Sequence, residues 1–366
     1  MQAHERQTVT SSARDPKDVV AVYVDMGTTN TRVWLTCGDP VVAHATELIG
    51  IRDSARDDGR AIRNALRELI ARVRHEAQQH GEVCTPNYIV AAGMIGSNLG
   101  LEEVPHVQAP AGIDELAAAA RWCRFMEVSD LPFLLVPGVR SGSANATVES
   151  MLQIDVMRGE ETLCAGLLAL GIIEPPATVL NLGSHWKAIE LGRGGKIRSS
   201  VTTLSGELLH AVQTHTVLAG SVARERPERL SSRWVEAGMK EQRQSGLARA
   251  LFCVRLLDLA HEGSPEDRLA FAVGVFIAAD LHAFLARSVI GSQHTVALVG
   301  HSAISEAWQT ALSQNKIAAT LISKKQAETA LLEALRRILV GALPALDNIQ
   351  METSAASTIV PARKEI

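Results

Sequence analysis

The stretch VVAVYVDMGTTNTRVWLTC, Val19 to Cys37, decides the fold. β-Branched residues crowd Val19 to Asp25, Gly27-Thr28-Thr29-Asn30 turns the chain, and alternation resumes from Arg32 to Cys37, a β-hairpin pattern. A third strand is expected over Val41 to Glu47. A helical run follows from Asp58 to Gln79, with Ala61, Leu66, Leu69, Ile70 and Val73 on one face and Gly81 as its stop. A strand over Tyr88 to Ala92 and a helix over Ile113 to Cys123 complete the order β-β-β-α-β-α.

The same order returns downstream. After a strand over Phe133 to Val136 and a Gly/Ser-rich loop, a helix from Gly159 to Leu170 leads to three strands, Ala177 to Leu182, Trp186 to Leu191 and Lys196 to Thr203. Helices are predicted over Gly206 to Leu218, Gly246 to His261 and Asp267 to Ser288. A strand over Thr295 to Val299, a helix over Ile304 to Leu312, a strand over Ala318 to Ile322 and a helix over Ala327 to Val340 close the pattern. Glycine- and hydroxyl-bearing turns fall between the first two strands of each half, Gly27-Thr28-Thr29 and Gly183-Ser184-His185. Together they are expected to clasp one nucleotide.

Composition sets the class. The 366 residues suit two medium domains at roughly 100–200 residues each. With 46% hydrophobic and 21% charged residues, the chain can bury cores without metals or disulfides. A net charge of −4 without a long basic tract argues against nucleic acid or an anionic membrane as partner and for a small molecule. The five cysteines are scattered and odd in number, which fits a reducing, cytoplasmic setting. Residues Met1 to Asp18 lack the apolar core of a signal peptide. Leu269 to Leu285 is interrupted by Asp280 and His282, so a buried helix is expected there instead of a membrane span of roughly 20 apolar residues. A homodimer is an open expectation.

Several segments carry chemistry. Asp25 ends an apolar strand and could hold hydrated Mg²⁺, while Gly27, Thr28, Thr29 and Asn30 offer backbone and hydroxyl donors to phosphate; Arg32 closes the motif. An ordinary hairpin turn would read the same way. Gly183, Ser184 and His185 form the second candidate phosphate loop, with Lys187 as a cation near the transferring phosphoryl group. A turn with a solvated lysine is the alternative. Asp155-Val156-Met157-Arg158-Gly159-Glu160-Glu161 supplies acids and an arginine together. A hydroxyl attacking ATP needs positioning, charge neutralisation and one carboxylate to take its proton. An acidic first helical turn complementing the dipole is the simpler explanation. Asn98, in the small-residue loop AAGMIGSN, could bind a sugar hydroxyl. Gly300 and Ser302 follow a strand where adenosine could lie against glycine backbone. No Walker loop and no nucleophile elbow is present.

The succession DMGTTNTRVW, AAGMIGSNLG, VPGV, DVMRGEET, LGSHWKAIEL, TTLSGELLH and ALVGHSAIS, between Val20 and Leu343, resembles the 2-dehydro-3-deoxygalactonokinase family in order and spacing. The resemblance implies an α/β fold of duplicated actin-like (ribonuclease H-like) βββαβα domains with an interdomain active-site cleft. It also implies phosphorylation of the 6-hydroxyl of 2-dehydro-3-deoxy-D-galactonate by ATP with Mg²⁺. By the same resemblance Asp25, Gly27, Thr28, Thr29 and Asn30 form the first phosphate motif. Gly183, Ser184, His185 and Lys187 form the second, and Gly300 and Ser302 mark the adenosine region. Gly159-Glu160-Glu161-Thr162 looks like the segment that supplies the base in broader sugar kinases. Glu160 is the first choice and Asp155 its rival, with Arg158 placed to meet a substrate carboxylate. Ser184 stands where threonine is usual. The expected division is a tail at 1–18, an N-terminal domain at 19–158, a C-terminal domain at 159–345 and a tail at 346–366. A kinase of the gluconate epimer and a non-catalytic actin-like scaffold are the competing readings.

Overall fold

The computed structural model describes residues 15, 19–54, 59–79, 84–143, 145–225, 227–291 and 295–357. Most of the expected N-terminal tail, the predicted helix stop at Gly81, and residues 358–366 lie outside the described residues. In chain order the strands and helices are β1 Val20–Met26, β2 Thr31–Cys37, β3 Val41–Glu47, α1 Ile51–Ser54, α2 Arg60–Gln79, β4 Tyr88–Gly93, β5 Val107–Gln108, α3 Ile113–Ala119, β6 Arg121–Cys123, β7 Phe133–Leu135, β8 Val139–Ser141 and β9 Asp155–Met157. They continue with α4 Glu160–Ala169, β10 Ala177–Leu182, β11 Trp186–Leu191, β12 Ile197–Thr203, α5 Ser205–Thr214, α6 Ser232–Ser245, α7 Leu247–Leu259, α8 Pro265–Ala286, β13 Thr295–Gly300, α9 Ser302–Gln314, β14 Ala319–Ile322 and α10 Lys324–Ser357.

Two compact units form. Unit 1 comprises Met1–Val104, Ala117–Val136 and Leu335–Ile366; unit 2 comprises Pro105–Leu116 and Pro137–Ala334. Unit 1 holds a sheet of order β3-β2-β1-β4-β7-β6. Its first three strands are antiparallel, β4 runs parallel to β1, and β7 parallel to β4. α2 lays Ile62, Leu66, Leu69, Ile70 and Val73 onto this sheet's core, which Val22, Val24, Val33, Leu35 and Ile89 line from the strands.

Unit 2 repeats the plan, with a sheet of order β12-β11-β10-β13-β14. β10, β11 and β12 are antiparallel, and β13 and β14 continue in parallel from β10. An antiparallel three-strand meander extended by parallel strands, twice in one chain, is the duplicated actin-like α/β architecture. Unit 2 adds a small sheet of order β5-β8-β9.

Several elements differ from the sequence expectation. The helix predicted over Ile113 to Cys123 stops at Ala119, and Arg121–Cys123 becomes β6. Within unit 1 the Trp122 indole donates to the Ala342 carbonyl at 3.1 Å and packs on Tyr88, so tertiary contacts take over from a helical pattern. α6 is unpredicted, because only Val235, Gly238 and Met239 are buried along it. Its place is set by α8. A Cβ on Gly238 would lie 2.0 Å from the Phe271 carbonyl oxygen, and one on Gly274 would lie 2.0 Å from that of Val235. Two glycines thus let these helices touch through backbone.

α8 is apolar on all sides and long enough to cross a membrane, but most of it, Phe276, Ile277 and Phe284 among them, is buried in unit 2. Ser264 and Asp267 form a capping box at its start. The last helix runs past Val340 to Ser357 and includes Pro344.

Candidate active site

Both sheets offer their chemistry at the carboxyl ends of the central parallel strands, where α/β sheets bind ligands. In unit 1, Asp25 sits one residue before the end of β1 and pairs across the hairpin with Arg32. The Arg32 guanidinium donates to Oδ2 of Asp25 through Nη2 at 2.5 Å and Nε at 3.1 Å. The Asp25 Oδ1 side meets Gly93 at the end of β4, where an added Cβ would come within 3.4 Å of Oδ1 and 2.3 Å of the Met26 carbonyl oxygen. With φ at +83°, Gly93 is also in a conformation that side chains avoid. Glycine here keeps the space beside the carboxylate open.

The turn itself is fixed from behind. Gly27 N–H donates to the Asn30 carbonyl at 2.8 Å, and the carbonyls of Gly27 and Thr28 accept from Ile51 and Arg52 at 3.2 and 3.1 Å. Thr29 stands exposed at the tip. Asn98 is exposed on the short turn that follows β4, one strand over from Asp25.

Unit 2 mirrors this arrangement. Leu182, the last residue of β10, pairs with Gly300, the last of β13, as Met26 pairs with Gly93. A Cβ on Gly300 would stand 2.7 Å from that of Leu182. Ser302 begins α9, which from Ala303 to Gln314 lines a cavity of about 120 Å³ together with Val235 and Met239 of α6. α5 starts against the second turn, for a Cβ on Gly206 would meet the Gly183 carbonyl oxygen at 2.3 Å. His185 of that turn lies 3.7 Å from Glu207 in the first turn of α5.

Lys187 is not a solvated lysine. It is buried on β11, and its Nζ donates to the Val156 carbonyl at 3.1 Å and pairs with Glu160 at 3.2 Å. Glu160 opens α4 and folds back to accept the Arg158 N–H at 3.2 Å. Asp155 is engaged elsewhere: its Oδ2 accepts from Ser200 at 2.7 Å and Thr202 at 2.9 Å, tying β9 to β12. The structure therefore brings Arg158, Glu160 and Lys187 together and turns Asp155 toward the sheet.

Two buried carboxylates were not singled out from sequence. Glu161 is fully buried and takes the Gly159 N–H on both oxygens, at 2.8 and 2.7 Å. Burial, and then the charge of Glu160, push its pKa up to about 7. Fully buried, it holds the turn that aims Glu160. Asp280, in the middle of α8, accepts from the Thr203 hydroxyl at 2.6 Å, and burial raises it to about 6 despite that bond. A glutamate next to a glutamate, and an aspartate inside an apolar helix, were the signals available.

Two sheets of this topology, each with its glycine-bearing turn at the end of the first strand, define the fold of the actin-like ATPase and sugar kinase superfamily. An acid–lysine pair beside the second turn agrees with a phosphotransferase that uses an alcohol group as acceptor. Residues 25–338 match the 2-keto-3-deoxy-galactonokinase family model, and the chain belongs to that family. It is 26% identical over 291 residues to the 2-dehydro-3-deoxygalactonokinase of Escherichia coli, covering 79% of this chain and 88% of that protein. It is 27% identical over 318 residues to a probable 2-dehydro-3-deoxygalactonokinase of Rhizobium meliloti, covering 86% and 95%. The crystal structure of a protein described as a putative 2-dehydro-3-deoxygalactonokinase from Sinorhizobium meliloti shares the fold, with a TM-score of 0.67 at 24% identity over 94% of this chain and 99% of that one.

Proposed function

We propose that this protein transfers the γ-phosphoryl group of ATP to the 6-hydroxyl of 2-dehydro-3-deoxy-D-galactonate, in the cytoplasm, as a step of galactonate breakdown. Family membership across residues 25–338 carries this reading and favours it over a scaffold. The turns Gly27–Asn30 and Gly183–His185 bind phosphate oxygens through backbone and hydroxyl donors. Gly300 and Ser302 lie along the adenosine, next to the cavity between α6 and α9.

Glu160 takes the proton of the attacking hydroxyl, and Lys187, held by Glu160 and the Val156 carbonyl, steadies that carboxylate. Asp155, bound to Ser200 and Thr202, serves better as an anchor for the loop than as the base. Arg32 orients Asp25 by its fork, and Asn98 binds a sugar hydroxyl. The residues fit Mg²⁺ in one way: the open space left at Gly93 beside Asp25 Oδ1 suits a mostly hydrated ion held through one carboxylate. The ion would neutralise charge on the phosphates.

ATP-to-ADP turnover with Mg²⁺ on a panel of sugar acids, including the gluconate epimer, tests the reading. Selective turnover of the galactonate derivative is expected. Glu160→Gln should lower kcat by about 10²–10⁴-fold while ATP still binds; ATP binding with no acceptor phosphorylated would overturn it.

A further inference from the structure

The small sheet of unit 2 gathers two arginines and a histidine that the proton transfer and phosphate binding proposed for this site do not use. His106 lies just before β5, Arg140 is central in β8, and Arg158 follows β9. These three strands are neighbours, with Val107 paired to Val139, and Arg140 to Val156. At Gly138 the sheet lets the imidazole in. A Cβ there would lie 2.7 Å from His106 Cδ2 and 2.3 Å from the Met157 carbonyl oxygen. Arg158 Nη2 stands 3.5 Å from His106 Nδ1 and 3.4 Å from Nε2, a contact with the ring as a whole and not a directed bond to one nitrogen.

Among the described residues, the charges that act on the titration of this ring have one sign. Partial burial, then Arg158, Arg140 and Lys187 in that order, hold the His106 pKa at about 4, so the ring is neutral near pH 7. The acid nearest to Arg158 in sequence, Glu160, is committed to Lys187. Asp155, the acid of β9, is committed to hydroxyls of β12. Arg140 spends Nη2 on the Ser143 carbonyl, and its buried Nε has no hydrogen-bond partner among the described residues. A neutral imidazole offers one N–H without adding to the repulsion, and guanidinium groups present planar forks that match a carboxylate. His106 is itself exposed, so a ligand can reach it.

We propose that His106 and Arg140, together with Arg158, form an anion subsite that receives the carboxylate of the acceptor and makes this kinase select an acid over a neutral sugar. The inference rests on the kinase reading above. An anionic group of the same charge could also come from the nucleotide, and the two sources separate kinetically.

The experiment compares the sugar acid with its primary amide as acceptor, measuring kcat, acceptor KM and ATP KM for the wild type, Arg140→Met, Arg140→Lys and His106→Asn. In the wild type the acid should exceed the amide in kcat/KM by about 10- to 100-fold, the yield of one or two charge-assisted hydrogen bonds. Arg140→Met should raise the acid KM by a similar factor and leave the amide KM, the ATP KM and the melting temperature near wild type. Arg140→Lys, which keeps a charge but loses the fork, should fall between. His106→Asn should cost several-fold in acid KM only. If acid-over-amide selectivity is unchanged in all variants, the subsite is refuted while the kinase reading stands. A rise in ATP KM instead would assign the cluster to the nucleotide and refute it equally. Wild-type protein that turns over no sugar acid would remove the kinase reading, and the subsite with it.

Discussion

Glu161→Gln gives a direct test of how the loop before α4 is held. Glutamine keeps the shape and one carbonyl oxygen for the Gly159 N–H, replaces the other oxygen with a donor, and cannot ionise. In the native protein the carboxyl titrates at about 7, against an ordinary 4.5. Between those values the folded state holds a proton that the unfolded state has lost, so stability falls as pH rises. The stabilisation is complete below about pH 4.5 and is gone above about pH 7. At about 1.4 kcal/mol per pKa unit the change amounts to roughly 3 kcal/mol. The assay is urea unfolding of the full chain, wild type and variant, at half-unit steps from pH 4.5 to 8. Asp280 and His106 titrate in both proteins and cancel in the difference. The variant should gain on the wild type by about 1.4 kcal/mol per pH unit up to about pH 7 and then hold level. Two parallel stability curves would refute the claim that Glu161 is a buried, protonatable carboxyl.

Other expectations follow from single contacts. Lys187→Met removes the partner of Glu160 and should cost about 3 kcal/mol in chemical denaturation, most of it recovered in the double variant with Glu160→Gln, because an uncompensated charge is then no longer left behind. Gly238→Ala must push α6 off the Phe271 carbonyl and should lower stability by about 1–3 kcal/mol, read as a drop in melting temperature. Asp25→Asn should lower kcat by about 100-fold and raise the Mg²⁺ concentration giving half-maximal rate, with little change in melting temperature.

Where the pattern was local, residues and structure agree closely. The β1–β2 hairpin follows from β-branched alternation broken by Gly27, and the β10–β11 hairpin follows from the same grammar around Gly183. The recurrence of that order in two halves was enough to read the duplication. Helix ends and short strands were harder, since Ala117 to Cys123 carries a helical pattern that Trp122 gives up to reach the Ala342 carbonyl.

Sequence by itself determined the strand meanders, the turns at their first bends, the acid-rich segment before α4 and the family they resemble, because each is written in residues adjacent along the chain. Only the tertiary structure decided where each acid points. Glu160 and Glu161 are neighbours in sequence, but the helical rotation between them sends one to Lys187, 27 positions on, and the other into the core. The convergence of His106, Arg140 and Arg158, and the glycine contact that seats α6 on α8, depend likewise on distant segments meeting. Hydrophobic periodicity names a buried face, but it does not name the element that will cover it.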